Sequence, residues 1–160
     1  MFHYKSARLW LSITFFLIVS SVIAATLLRL SNEDEVLKEL SRRGKTVRIL
    51  RNAGHKGDDG TQLHRQAFCD YLNIHPKWLF PINTIIINHE YLSDGDVDLM
   101  SQLTSLEYVN VADSEMSEKS FVRLAHFPKL YEIHAQGTKV PAAAIEKCRG
   151  IRTTLEIYFD

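Results

Sequence analysis

Residues 106–140 read "LEYVNVADSEMSEKSFVRLAHFPKLYEIHAQGTKV", and the segment that begins at Leu106 begins again at Leu130. Like segments 24 residues apart point to a stacked architecture, in which each unit hides its apolar face against the next. The same register reaches back to Ile82 and forward to Thr154. Along it, the triplet Ile82, Ile85 and Ile87 corresponds to Leu106, Val109 and Val111, to Leu130, Ile133 and Ala135, and to Thr154, Ile157 and Phe159. Further columns join Leu92, Met116 and Val140; Val97, Phe121 and Ile145; Met100, Leu124 and Cys148; and Leu103, Phe127 and Ile151.

The triplet has the spacing of a short strand with its apolar side chains turned inward, and the later columns have helical spacing. Neither half can bury its apolar side alone. The expected fold is therefore α/β: a short parallel sheet with strands about 4.8 Å apart, helices on its other side, and a curved solenoid of three copies plus a final strand over residues 82–160.

The stretches "YLSDGDVDLMSQLTSLEYVNV" (91–111) and "FPKLYEIHAQGTKV" (127–140) resemble the leucine-rich-repeat family, in the subclass reading approximately L-x-x-L-x-L-x-x-T-x-V-T-D-x-G-L-x-x-L. Together with an apolar leader and the helix-like "EVLKELSRRGKTVR", the arrangement is similar to small membrane-anchored leucine-rich-repeat proteins of bacteria. That resemblance implies a protein-binding surface. The chain departs from the family pattern at "MSEKSF" and "KVPAAAI", where those helices are expected to begin differently.

Ahead of the repeats, residues 1–8 form a basic leader and residues 9–28, "LWLSITFFLIVSSVIAATLL", carry no charge. A helix of that length rises about 30 Å, the thickness of a hydrocarbon layer, so a single-pass membrane span is expected over 9–28. The rival reading is a cleaved signal peptide, for which Ala24 and Ala25 offer a site. An inside N-terminus with the domain outside the cytoplasm is the favoured orientation, from the leader's resemblance to a signal sequence. Residues 29–45 then read as a separate amphipathic stalk helix, capped at Ser31 or Asn32, with Val36, Leu37 and Leu40 on one face and Gly44 closing it.

Residues 46–81 are expected to cap the start of the solenoid. Within them "KTVRIL" reads as a strand, "RNAGHKGDDGTQ" as a loop, the residues after a Thr61 cap and before Pro76 as a helix with Leu63, Ala67, Tyr71 and Leu72 on one stripe, and Trp78, Leu79 and Phe80 as an apolar lid. His55, Asp58 and Asp59 lack a recognisable ligand spacing, so a solvated turn is expected there and no metal or other cofactor. Cys69 and Cys148 are read as buried thiols, although a bridge is compatible with the sequence.

Lys5, Arg8 and Arg29 are the only lysines and arginines before position 31, and every acidic residue follows it. Sixteen basic against nineteen acidic residues leave the remainder at −3, so it lacks the basic footprint of a nucleic-acid binder. Strand positions alternating with the inward triplets form three columns on the presented face. They are Thr84, Tyr108, Glu132 and Glu156; Ile86, Asn110, His134 and Tyr158; and Asn88, Ala112, Gln136 and Asp160. The first two columns are the expected partner-binding residues, because tyrosines carry much of the energy of protein interfaces. Glu132, His134 and Tyr158 could also serve as an acid–base group, but no G-x-S-x-G, H-E-x-x-H or phosphate-loop motif accompanies them, and no enzyme is expected. The alternative function is a self-associating envelope or scaffold component that pairs through the edge strand at 155–160.

Overall fold

A computed structural model describes residues 3–51 and 80–159. The described elements run α1 (His3–Arg42), β1 (Arg48–Arg51), β2 (Ile82–Ile86), β3 (Tyr91–Leu92), α2 (Asp94–Ser101), β4 (Tyr108–Asn110), β5 (Glu115–Met116), α3 (Glu118–Leu124), β6 (Glu132–His134), α4 (Ala142–Ile151) and β7 (Glu156–Tyr158). The expected loop with His55, Asp58 and Asp59, the helix from Thr61, the lid residues Trp78 and Leu79, Cys69 and Asp160 lie outside the described residues.

The main sheet has the order β1-β2-β4-β6-β7, antiparallel between β1 and β2 and parallel elsewhere. Its parallel register is the sequence register: Thr84 lies beside Tyr108, Tyr108 beside Glu132, and Glu132 beside Glu156. A second, two-stranded parallel ladder pairs Tyr91 with Glu115 and Leu92 with Met116 at the same offset. The backbone continues the pattern beyond the strands, where the amides of Ile87, Val111 and Ala135 donate to the carbonyls of Asn110, His134 and Tyr158. Each strand then leaves the sheet through a left-handed residue at one equivalent position: His89 (φ 59°), Asp113 (φ 57°) and Gly137 (φ 70°). Glycine suits the third turn on two counts, since a Cβ on Gly137 would lie 2.1 Å from Asp113 Oδ1.

The columns account for the core. Ile85, Val109 and Ile133 from the strands meet Val97, Phe121 and Ile145 and Met100, Leu124 and Cys148 from the helices in one buried cluster. Cys148 is a free, buried thiol whose burial pushes its pKa up to about 11, as suits a small apolar side chain rather than a reactive one. Two columns end differently from expectation. Thr154 is exposed and Leu155 takes the buried place instead, while Ile151 is 43% exposed, because no further unit of the described chain packs on that side.

The helices begin at equivalent positions, Asp94, Glu118 and Ala142, and the expected difference in how the second and third start lies in their capping and not in their place. Ser93 and Asp96 form a reciprocal capping box, and Ser117 accepts from the Ser120 amide, whereas Pro141 makes no side-chain cap. Neighbouring units are tied at this level by Asp94, which accepts from Ser117 Oγ at 2.9 Å and from Ser120 Oγ and pairs with Lys119 at 3.1 Å. The hydrogen bonds from Ser120, Lys119 and Ser117 hold the Asp94 carboxyl down at about 2.

α1 corrects the reading of a span followed by a separately capped stalk: it is one continuous helix of 40 residues. Ser31 and Asn32 lie inside it, and the Asn32 amide donates to the Gln102 carbonyl at 3.1 Å instead of capping a new helix. Gly44 does close it. At φ 78° it lets the Lys45 amide reach the Leu40 carbonyl and its own amide reach Ser41, a Schellman arrangement. The first part of α1 is long and apolar enough to cross a membrane, with Trp10, Phe15, Phe16 and Leu28 uncovered by the rest of the chain. Its last part, from Leu30 on, belongs to the domain: Leu30, Val36 and Leu40 are buried, as is Glu33, whose carboxylate meets Arg51 at 2.5 Å and the Ile82 amide at 3.3 Å. A second tie joins Arg43 to the buried Asp96 at 3.2 Å.

Candidate functional site

Because Ile85, Val109 and Ile133 face the helices, their strand neighbours face the opposite side of the sheet. The structure brings the expected residues together there in register, but it grades them by exposure across the sheet. Thr84 is 2% exposed and so presents no surface, and Ile86 is half-buried. Tyr108, Asn110 and His134 are half-buried, Glu132 is 8% exposed, and Glu156 and Tyr158 are exposed, the latter at 41%. The accessible part of the site is therefore the β4–β6–β7 side. Of the third column, Asn88, Ala112 and Gln136 lie at half-buried positions beyond the strand ends.

Three rings form the centre of this face. His134 lies between Tyr108, 5.0 Å away by ring centroids and tilted 45°, and Tyr158, 4.6 Å away and tilted 39°. His134 and Tyr158 stand at matching positions of adjacent parallel strands, so the sheet itself spaces them. Tyr108 is instead paired with Glu132 and meets His134 diagonally, two residues out of register. Both separations fall in the range favoured by tilted aromatic pairs. Glu132 fixes the middle ring. Its Oε1 lies 2.7 Å from His134 Nε2, so a proton on Nε2 is donated to a carboxylate that is largely withdrawn from water. Asn110 holds the loop above: its Oδ1 accepts from the Ala112 amide at 3.0 Å, and its Nδ2 lies 3.5 Å from Tyr108 Oη.

The electrostatics are acidic. Tyr158 donates to Glu156 Oε2 at 3.3 Å, and the Glu156 charge, then this hydrogen bond, raise the Tyr158 pKa. Burial raises that of Tyr108, with the Glu132 charge adding to it. Sequence reasoning missed two neighbours, Tyr131 and Glu107, which stand one position before the first column. Burial, then the charges of Glu107, Glu132 and Glu156, raise the Tyr131 pKa. The signal was present in the register, where Asn83, Glu107, Tyr131 and Leu155 are equivalent; Asn83 Nδ2 reaches Glu107 Oε2 at 3.4 Å.

Among the described residues, no three His, Cys, Asp or Glu side chains are arranged to hold a metal ion. On the helix side, a cleft of about 320 Å³ lies between α2 and α3, lined by Val97, Ser101, His126 and Phe127 and bridged by Arg123 and Asp98 at 2.7 Å. Comparison of the chain with protein-family models, curated proteins and solved structures finds no match.

Proposed function

We propose that this chain is a membrane-anchored leucine-rich-repeat solenoid that presents its β4–β6–β7 face to a protein partner. The observation that carries the reading is the ring ladder Tyr108–His134–Tyr158, carried on three adjacent strands of the sheet and clamped by Glu132. Ordered aromatic rings with polar edges offer contact area at little further cost in side-chain entropy, which is the chemistry of interface anchors. The continuity of α1 supports the anchoring role, since one helix supplies both the apolar segment and part of the domain core. At about 60 Å, it is long enough to cross a hydrocarbon layer and still reach into the fold. The favoured orientation places the domain outside the cytoplasm.

A second reading has one observation behind it. β7 has a single neighbour among the described strands, so its outer edge can pair with a second copy. Proximity crosslinking of the full-length protein in its native membrane separates the two. Under the display reading, wild type captures a protein that the Tyr108→Ala/His134→Ala/Tyr158→Ala variant loses by roughly tenfold or more. Self-crosslinks alone, unchanged in that variant, would favour edge pairing and remove the face from the account.

A further inference from the structure

The display reading leaves the partner's chemistry open, and the charges on the face narrow it. Beside the ring ladder stand Glu132 and Glu156; among the described residues, the bases that the strand register places on this face are His134, already engaged with Glu132, and Arg48, at the far edge on β1 beside Ile86. Glu132 is engaged and nearly buried, but Glu156 is exposed and accepts from the Tyr158 hydroxyl. An exposed carboxylate and the open face of a tyrosine thus lie side by side on β7, next to a second and third ring. A guanidinium fits both groups at once, because its plane stacks on an aromatic ring while its edge donates paired hydrogen bonds to a carboxylate. An ammonium can also meet a carboxylate and a ring together, as Lys45 does with Asp96 at 3.6 Å and the Tyr91 ring at 5.7 Å, but it lacks the flat face and paired donors that a guanidinium brings. An anionic or purely apolar segment would leave the carboxylate facing like charge or desolvated without a partner.

Resting on the display reading, we infer that the β4–β6–β7 face docks an arginine-bearing segment of its protein partner, with the guanidinium over the Tyr158 ring and paired to Glu156. The segment runs across the strands, so that its neighbouring side chains meet Tyr108 and His134. Binding weakens as salt rises, because the carboxylate is solvent-exposed before the complex forms.

The test uses the full-length protein in nanodiscs of uncharged lipid and a fluorescent peptide carrying three arginines at alternate positions. A glutamate version of the peptide and free choline serve as competitors. The expected result is binding of the arginine peptide, reduced about threefold to fivefold by Glu156→Gln and roughly tenfold by Glu156→Lys, with no competition from the glutamate peptide. Absent binding, binding unaffected by Glu156→Lys, or displacement by choline as effective as by unlabelled peptide overturns the inference. Crosslinking in the native membrane keeps it distinct from the reading beneath it. A partner lost in the triple ring variant but retained in Glu156→Lys leaves the face standing and removes its preference for arginine. A partner retained in both removes the two together.

Discussion

Phe121→Ala lowers the stability of the domain by about 3–5 kcal/mol, the usual cost of emptying a buried aromatic site. Phe121 is fully buried at the middle of its column, with Val97 in the unit before and Ile145 in the unit after. Its helix α3 packs on α2 on one side and α4 on the other, so neighbours on both flanks lose contacts together. Neither flanking side chain is large enough to close the space, and the Cys148 thiol, which lies 3.8 Å from the Phe121 carbonyl, is too short to do so. Thermal unfolding of the full-length protein in detergent, followed by circular dichroism, measures the effect. A loss below about 1 kcal/mol would mean that the three helices do not share one core at this position.

Leu40→Ala is the second large effect, with an expected cost of about 2–5 kcal/mol. Leu40 is fully buried and lies one turn from Val36, in the part of α1 that covers the start of the sheet. Its carbonyl also accepts from Lys45 in the helix-closing turn, so the residue stands where the long helix is fixed to the domain. The surface ties, Arg43 with Glu39 and Arg42 with Glu39, contribute far less because water competes for them. Hydrogen exchange in the last turns of α1 should accelerate in the variant, while the β4–β6 amides keep most of their protection. Unchanged exchange there would show that α1 is held by something other than its apolar face.

The sheet register was legible because burial acts at each repeat in the same way: a column of apolar residues every 24 positions has one structural meaning when the strands stack in register. The continuity of α1 was not. Serine or asparagine inside a helix costs only about half a kcal/mol relative to alanine, so a capping signal cannot by itself force a break between strongly helical neighbours. Thr84 shows a different limit, since alternation along a strand assigns a side chain to a face and says nothing about what lies over that face. Leu155 replaced Thr154 because burial selects the apolar residue on offer, at the expense of strict spacing. The small ladder of β3 and β5 had left its trace in the Leu92, Met116 and Val140 column, but two residues are too few to show a strand period.

The most direct test of the account is site-specific photocrosslinking of the full-length protein in its native membrane. A photoreactive residue is placed at position 158, on the ring ladder, and in a separate protein at position 147, on the helix side where Lys147 is exposed. The account predicts that position 158 captures a heterologous protein and position 147 does not. Capture from 147 alone, or only a second copy of the chain from 158, would contradict it.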